Sequence, residues 1–251
     1  MDLADVKRLY DDWGASDALW AILPFTGKRG NRWNVGEFFQ TGVREIEGLL
    51  HSIRALGLPL RQGTALDFGC GVGRLSQALA QHFDTVWGVD IAPSMIERAQ
   101  AYNRFGTRCR YVLNTRDDLA VLGGPRFDLV YSNITLQHLE PRYARGYIAE
   151  FLRVAARPGL VVFHQPSEHR LPAAATRSAR EALKRVVPSP LLAAYRRLRG
   201  MVLREPRWEM HAIPRDEVTR LIEAHGGRLA HVADEYNSRS GWHSCTYFVT
   251  T

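Results

Sequence analysis

The stretch from Thr64 to Gly73 reads Thr-Ala-Leu-Asp-Phe-Gly-Cys-Gly-Val-Gly. Its first five residues are mostly apolar and begin with a β-branched residue, a pattern typical of a buried strand in a parallel sheet. The glycines that follow permit a tight turn with positive φ and let a ligand approach the backbone closely. Residues 74–80 then carry apolar side chains at helical spacing. Strand, glycine loop and helix together predict a nucleotide-type binding turn at the carboxyl end of a sheet strand.

The charge of this turn indicates which ligand it binds. Dinucleotide folds use Gly-x-Gly-x-x-Gly and hold a pyrophosphate at the helix N-terminus. Here the third glycine, Gly73, comes one residue early, and Arg74 stands where the dinucleotide motif has its last glycine. The carboxylate of Asp67 would repel pyrophosphate but favour an ammonium group, and no Gly-Lys-Ser/Thr follows to make a P-loop. The pattern therefore favours S-adenosylmethionine, which carries an ammonium and a sulfonium and no phosphate.

A second strand, residues 85–90, supports a nucleotide site. It ends in Asp90, 17 residues after Gly73, where an acid can accept hydrogen bonds from both ribose hydroxyls. The alternative is that Asp67 and Asp90 are only polar strand ends. The order and spacing of the loop and both acids favour the nucleotide site.

Three successive motifs resemble those of class I S-adenosylmethionine-dependent methyltransferases. They are Asp-Phe-Gly-Cys-Gly-Val-Gly at 67–73, Val-Asp-Ile-Ala-Pro-Ser-Met-Ile at 89–96 and Phe-Asp-Leu-Val-Tyr-Ser-Asn-Ile-Thr-Leu-Gln-His-Leu at 127–139. The resemblance is strong over roughly residues 60–167 and weaker outside them. It implies an α/β fold with a doubly wound, mostly parallel seven-stranded sheet, an N-terminal lid and a helical cap insertion.

We expect one domain over residues 1–251. Within it, the resemblance suggests a lid segment (1–42), a cofactor-binding core (43–167), a basic helical cap (168–210) and a C-terminal helix with a strand pair (211–251). The chain has a net charge of +7, and residues 166–209 hold ten basic and four acidic residues, a net +6. This segment is interpreted as a substrate cap. A basic amphipathic helix on an anionic membrane surface and a structural helix pair with a solvated charged face are the alternatives.

The cofactor site is predicted from the loop, the strand ends and the resemblance. The family usually has an acid that reads adenine where this chain has Thr115, which leaves the adenine-reading residue open; the Asp118–Leu119 pair fits the family pattern best. Ser132 and Asn133 follow the fourth strand, where the family presents the methyl group. The candidate cofactor-binding residues are Asp67, Gly69, Cys70, Gly71, Gly73, Asp90, Ile91, Met95, Asp118, Leu119, Ser132 and Asn133.

Catalysis by such a site depends on placing an acceptor in line with an already electrophilic methyl group. An oxygen or nitrogen acceptor also benefits from a general base, for which histidine suits neutral pH. His138, after the methyl-presenting loop, and His211, at the end of the cap segment, are the candidate catalytic residues; proximity alone is the alternative. No Cys/His pair has metal-ligand spacing, so no metal is expected.

The expected function is S-adenosylmethionine-dependent methylation of a small molecule, at a hydroxyl oxygen, in specialised or glycan-related metabolism, with S-adenosylhomocysteine as product. N-methylation of a small amine, or a non-catalytic S-adenosylmethionine-binding protein that docks on a membrane or partner, are the alternatives. Nucleic-acid binding is not expected, because Ser132-Asn133-Ile134 differs from the Asn/Asp-Pro-Pro-Tyr motif of base-amino methyltransferases. Three scattered cysteines, an acidic N-terminus and the lack of a long apolar run favour the cytoplasm. The oligomeric state stays open.

Overall fold

The computed structural model describes residues 2–124, 126–170, 208–237 and 240–251. The helices of that part of the chain are α1 (Leu3–Ile22), α2 (Val35–Ala55), α3 (Arg74–Leu79), α4 (Pro93–Tyr102), α5 (Pro141–Val154) and α6 (Arg215–Ala224). The strands are β1 (Thr64–Phe68), β2 (Thr85–Asp90), β3 (Cys109–Leu113), β4 (Phe127–Ser132), β5 (Ala155–His169), β6 (Arg228–Asn237) and β7 (Trp242–Thr250).

The strands form one seven-stranded sheet in the order β3-β2-β1-β4-β5-β7-β6. Neighbouring strands from β3 to β5 run parallel, whereas β7 is antiparallel to both β5 and β6. The strand order reverses between β1 and β4, which is the topological switch point where open α/β sheets bind ligands. The prediction of a doubly wound, mostly parallel seven-stranded sheet is confirmed.

Strand β1 is buried on both faces, because its side chains alternate between two packed layers. Leu66 and Phe68 lie on one face with α5, where the Phe68 ring is 4.5 Å from the Tyr147 ring. Ala65 lies on the other face, in a cluster that includes Ile46 of α2 and Leu79 of α3. A strand covered on both faces is nearly continuously apolar, which is why the one acid in the middle of β1 stands out.

Two element boundaries differ from those that the sequence predicts. Apolar residues at helical spacing predict a helix from Val43 to Leu56, but the helix begins at Val35, where the Asn34 side chain accepts a hydrogen bond from the Glu37 N–H at 3.0 Å. The apolar run from Gly159 to Phe163 predicts a fifth strand, but β5 is longer because it continues its antiparallel pairing with β7 up to His169 and Trp242. Periodicity reveals a strand but not the length of its partner, so this extension is absent from the sequence pattern.

The N-terminal segment is a helix that packs across the carboxyl edge of the sheet. Asp11 of α1 accepts a hydrogen bond from the Ser94 N–H at 2.8 Å, and its carbonyl accepts one from the Ser94 hydroxyl at 2.8 Å. The Trp13 ring of α1 stacks on Trp208 with a centroid distance of 5.9 Å. These contacts hold α1 over the beginning of α4. The interpretation of 1–42 as a lid that opens and closes stays a prediction.

The predicted cap, 168–210, falls largely outside the described residues, because 171–207 are not among them. In the described part of the chain, no helix has the length and apolar character needed to cross a membrane.

The glycine loop gives a direct test of the fold. Gly69 has φ of +78°, and a Cβ there would overlap the side chain of Thr135, whereas Gly27 has φ of +80° with open space around it. We expect Gly27→Ala to lower the free energy of unfolding by about 1 kcal/mol through backbone strain. We expect Gly69→Ala to lower it by about 2–4 kcal/mol, because the overlap adds to that strain. Urea denaturation of the two variants measures the difference, and equal losses would contradict the packing of the loop against Thr135.

Candidate active site

A cavity opens at the carboxyl ends of β1, β2 and β4, beneath α1. Its walls come from α1 and the loop after it, the glycine loop, the ends of β2 and β3, and the turn that follows β4. The lining residues are Leu3, Val6, Tyr10, Ala21, Ile22, Leu23, Phe68, Gly69, Cys70, Gly71, Arg74, Leu75, Val89, Asp90, Ile91, Met95, Asn114, Asn133, Ile134, Thr135, His138, Leu139 and Tyr147. This is the crevice that a switch point creates in such a sheet.

Asp90 fixes the glycine loop to the end of β2. One carboxylate oxygen accepts a hydrogen bond from the Gly71 N–H at 2.8 Å, and the other accepts one from the Ala92 N–H at 2.9 Å. Burial raises the pKa of Asp90, and these two backbone donors oppose that rise. Since each carboxylate oxygen can accept more than one hydrogen bond, Asp90 retains acceptor capacity toward the cavity that it lines.

Arg74 places a buried positive charge in the cavity wall. Its Nη2 lies 2.9 Å from Oε2 of Glu45, and its side chain is only 6% exposed. Among the described residues, no acceptor lies within hydrogen-bond distance of its buried Nε. A buried guanidinium N–H without a partner is costly, so this donor is suited to an anionic group of a ligand. The sequence also offers Arg44, near the start of the helix predicted from Val43, for such a role, but Arg44 is exposed.

Asp67 lies behind the loop and not on the cavity. It is 1% exposed, and its carboxylate accepts a hydrogen bond from the Ser76 hydroxyl at 2.6 Å. Burial raises the pKa of Asp67 to about 7, opposed by the Ser76 hydrogen bond and the nearby Arg74 charge. The predicted direct contact of Asp67 with a ligand ammonium does not match this position. Asp67 acts on the cavity electrostatically, because its carboxyl interacts with those of Glu45 and Asp90, and Asp90 lines the cavity.

Four further predicted cofactor residues also lie off the cavity. Gly73 packs against the Tyr111 side chain, and Leu119 is fully buried in the core. Asp118 pairs at the surface with Arg116, whose hydrogen bonds lower the pKa of that carboxyl to about 2. The Ser132 hydroxyl is buried and donates to the Phe68 carbonyl at 3.1 Å. The predicted residues that the structure does bring together on the cavity are Gly69, Cys70, Gly71, Asp90, Ile91, Met95 and Asn133.

The turn after β4 forms the cavity wall next to the glycine loop, where Thr135 packs against Gly69. The Asn133 amide donates to Oε1 of Glu45 at 2.7 Å, which links this turn to α2. Thr135 donates from its hydroxyl to the Phe68 carbonyl at 3.3 Å, which links the same turn to β1. Ile134, between them, points an exposed apolar side chain at the cavity.

His138 lines the cavity from the short helical turn Leu136–His138. Its Nδ1 lies 3.1 Å from the Glu209 carbonyl oxygen, and its Nε2 lies 3.2 Å from the Gln137 amide nitrogen. Because a carbonyl only accepts, this geometry assigns the proton to Nδ1 and leaves Nε2 as the acceptor. Burial lowers the pKa of His138, so the ring is neutral near pH 7 and able to take up a proton.

His211 does not line the cavity, although it lies beside His138. Its backbone N–H donates to the Gln137 carbonyl at 2.8 Å, and its carbonyl accepts from the Gln165 amide at 3.0 Å. The structure therefore gives His211 a place in the segment that orients His138. His164, on β5, has a buried Nδ1 that meets no partner in the described chain, and burial followed by the charge of His138 lowers its pKa to about 4.

Sequence reasoning missed several residues of the cavity. Tyr10 comes from α1, and its ring centroid lies 5.9 Å from that of His138. In the N-terminal segment the sequence instead makes Phe38 and Phe39 the aromatic candidates for lining the cofactor site, and Phe38 is fully buried. Asn114 follows β3 and uses its amide to bond the Asp118 carbonyl at 2.8 Å. Position at the end of a strand was a signal that could have identified Asn114. Nothing in the sequence marks Tyr10, because its place depends on how α1 packs. In the described part of the chain, no group of three or more His, Cys, Asp or Glu side chains is arranged to hold a metal ion.

Comparison with known proteins finds a family that resembles the part of the chain around this site. Residues 65–159 match the family described as the methyltransferase domain. The ubiquinone biosynthesis O-methyltransferase of Azorhizobium caulinodans is 39% identical over 90 residues, which is 36% of this chain and 35% of that protein. The matches to the first curated relatives cover between 35% and 57% of their length.

Solved structures agree over nearly the whole chain. Magnesium protoporphyrin IX methyltransferase from Synechocystis PCC 6803, with bound SAH, is 18% identical with a TM-score of 0.63 and 99% of each chain covered. The N-methyltransferase NodS from Bradyrhizobium japonicum, with S-adenosyl-L-homocysteine, is 14% identical with a TM-score of 0.61 and 98% of each chain covered. The chain has the class I methyltransferase fold, and its residues 65–159 match the methyltransferase domain family.

The depressed pKa of His164 predicts how stability depends on pH. A histidine whose folded pKa is about 4 and whose unfolded pKa is about 6.5 binds fewer protons when folded, so the free energy of unfolding rises with pH between those values. Replacing it by glutamine removes this contribution. We expect the gain in unfolding free energy from pH 5 to pH 7.5 to be smaller in His164→Gln by roughly 1–2 kcal/mol.

Urea denaturation at the two pH values provides the measurement. His51 is exposed on α2, so His51→Gln serves as the matched control and should keep the wild-type pH dependence. Equal pH dependence in wild type and His164→Gln would show that His164 titrates as it does in the unfolded chain.

Proposed function

We propose that this protein transfers the methyl group of S-adenosylmethionine to a small molecule, and that the acceptor atom is a hydroxyl oxygen. The observation that carries the proposal is the pairing, on one cavity, of a carboxylate at the end of β2 with a buried guanidinium whose Nε has no partner among the described residues. A nucleoside with an amino-acid tail presents ribose hydroxyls to the first group and a carboxylate to the second.

The donor set fits each end of this cofactor. Asp90 retains acceptor capacity for ribose hydroxyls beyond the Gly71 and Ala92 N–H groups that it already binds. Arg74 would bind the carboxylate of the tail through Nε, because charge-assisted hydrogen bonds to a guanidinium are strong. Ile91 and Met95 supply an apolar surface for the base. Asn114 is a candidate for the adenine edge, in place of the Asp118–Leu119 pair.

The charges around the cavity suit a cationic ligand. Asp90 lines the wall, and Asp67 behind it interacts electrostatically with both Asp90 and Glu45, against the positive charge of Arg74. An ammonium and a sulfonium would offset the excess of acid. When bound, S-adenosylmethionine supplies a methyl group activated by its sulfonium, so the protein has to supply position and proton transfer.

His138 would take the proton of the acceptor hydroxyl. The Glu209 carbonyl holds the ring with Nδ1 protonated, so Nε2 is the unprotonated nitrogen, and it would exchange the hydrogen bond from the Gln137 amide for one from the acceptor hydroxyl. Burial lowers the pKa of His138, which keeps the ring neutral at neutral pH and able to accept a proton. Nε2 would hold the proton that the acceptor hydroxyl loses when its oxygen is methylated. A hydroxyl acceptor needs such a base because its oxygen is protonated at neutral pH, which favours oxygen over an amine that is already unprotonated.

Ligand binding tests the cofactor assignment. S-adenosylhomocysteine contains both the nucleoside and the amino-acid tail, whereas 5′-methylthioadenosine lacks the tail. We expect Asp90→Ala to weaken both ligands by about 1.5–3 kcal/mol, since both lose a charged acceptor at the ribose. We expect Arg74→Met to weaken S-adenosylhomocysteine by a similar amount and methylthioadenosine hardly at all.

Isothermal titration calorimetry measures the affinity of wild type and of each variant for both ligands. Arg74→Lys is included as the variant that keeps the charge near Glu45. Asp84 is exposed at the start of β2, so Asp84→Ala is the matched control for loss of an acid. An Arg74→Met variant that weakens both ligands equally would argue against the tail contact. Wild-type protein that binds neither ligand would refute the proposed cofactor, and binding without turnover would favour a non-catalytic protein.

Turnover tests the role of His138. Removing a general base lowers the rate of proton transfer by about 10²–10⁴-fold, so we expect His138→Ala to lower kcat by at least about 100-fold and to leave the affinity for S-adenosylhomocysteine unchanged. His211→Ala should lower kcat less, because its contacts to Gln137 and Gln165 are made by its backbone. Transfer of a labelled methyl group from S-adenosylmethionine to a phenol acceptor is the assay. Full activity in His138→Ala would leave positioning alone as the catalytic mechanism.

A further inference from the structure

Ile134 has a backbone conformation that isoleucine rarely adopts. Its φ is +56°, in the left-handed region, where a β-branched residue is an outlier because its Cβ crowds the backbone. Its side chain is also 48% exposed while it lines the cavity. The residue therefore combines a strained backbone with an unburied apolar group, and both are unfavourable for folding.

The residues on both sides hold Ile134 in this conformation. Asn133 is fixed by its amide hydrogen bond to Glu45. The Thr135 hydroxyl lies 3.3 Å from the Phe68 carbonyl and 3.2 Å from the Asn133 carbonyl. Leu136 is fully buried in the core. Strain of this kind persists where the surrounding structure over-determines the turn, and it concentrates at functional sites.

The turn itself does not need an isoleucine. Glycine would adopt the same φ without strain, and asparagine would do so at lower cost. What isoleucine adds is hydrocarbon surface at the cavity, on the same turn that ends in His138. The neighbouring lining residues Tyr10 and Leu139 are also largely apolar. A group that approaches Nε2 of His138 therefore meets hydrocarbon on the side of Ile134 and Leu139, with the Gln137 amide as the polar group beside Nε2.

We propose that Ile134 is a specificity-determining residue, whose side chain is the contact surface for an acceptor that carries its hydroxyl on an apolar body such as an aromatic ring. The proposal rests on the proposed function and deepens it, because it names the class of acceptor. It argues against sugars and other polyols, which would leave their hydroxyls unpaired against Ile134 and Leu139.

The test uses 2-naphthol as the probe, because this molecule has one hydroxyl on an apolar ring system. Wild-type protein saturated with S-adenosylhomocysteine is titrated with 2-naphthol, and Ile134→Gly and Ile134→Asn are compared with it. Val121 is 43% exposed and does not line the cavity, so Val121→Asn is the matched control. Melting temperature and the affinity for S-adenosylhomocysteine are measured on every variant.

We expect Ile134→Gly to raise Tm by about 2–4 °C as the backbone strain is relieved. Both Ile134 variants should bind 2-naphthol at least about fivefold more weakly, since they lose apolar contact area. Affinity for S-adenosylhomocysteine should stay within about twofold of wild type, and Val121→Asn should resemble wild type in both ligands.

Three results would overturn the proposal. They are a wild type that does not bind 2-naphthol, Ile134 variants that bind it as well as wild type does, and an Ile134→Gly variant that is less stable than wild type. Failure of the proposed function is a separate result, namely that wild-type protein does not bind S-adenosylhomocysteine. In that case 2-naphthol is titrated into wild-type and variant protein without S-adenosylhomocysteine.

Discussion

The carboxylate of Asp90 is the group on which the geometry of the site depends. It binds the Gly71 N–H and the Ala92 N–H, so it joins the loop after β1 to the turn that opens α4. The N–H groups of Gly69 and Cys70 donate to the Val89 carbonyl next to it, at 2.8 and 3.0 Å. Together these bonds fix the ends of two neighbouring parallel strands, and Thr135 ties the turn after β4 to the end of β1 through the Phe68 carbonyl, so all three sides of the cavity are held in place.

The second constraint is that few positive charges of the described residues lie near the Asp90 carboxylate. Arg74 is buried and paired with Glu45, and Glu45 in turn binds Asn133 of the turn that carries Ile134 and leads to His138. One network of charged and polar groups thus connects the glycine loop, α2 and the wall that bears the proposed base. Removing one partner of a buried ion pair destabilises a protein, because the other charge is left buried and unpaired. This network therefore couples the shape of the cavity to its charge.

The sequence predicted the fold well where local pattern and tertiary structure agree. The bounds of β1 to β4 follow from short runs that end in glycine, acid or polar residues; β1 and β4 are mostly buried, whereas the edge strand β3 exposes Arg110 and Leu113. The start of α2 was placed too late because the cap at Asn34 was not recognised, although Asn followed three residues later by Glu is a known signal. The length of β5 depends on pairing with β7, which no local pattern encodes.

The site was predictable in its backbone but less so in its side chains. Gly69, Gly71 and Asp90 were found because they need fixed places in a strand–loop–helix motif. Asp67 and Ser132 lie off the cavity because both side chains are buried within the packed sheet, where they bond to Ser76 and to the Phe68 carbonyl. Arg74 was seen only as the residue that replaces a glycine, since its burial against Glu45 depends on where α2 packs.

A crystal structure of the complex with S-adenosylhomocysteine is the most direct measurement of the central claim, which is that Asp90 and Arg74 receive the two ends of the cofactor. The account predicts ribose hydroxyl oxygens within hydrogen-bond distance of the Asp90 carboxylate and a ligand carboxylate oxygen on Nε of Arg74. A ligand bound with its ribose away from Asp90, or with its tail away from an Arg74 that contacts only Glu45, would contradict it.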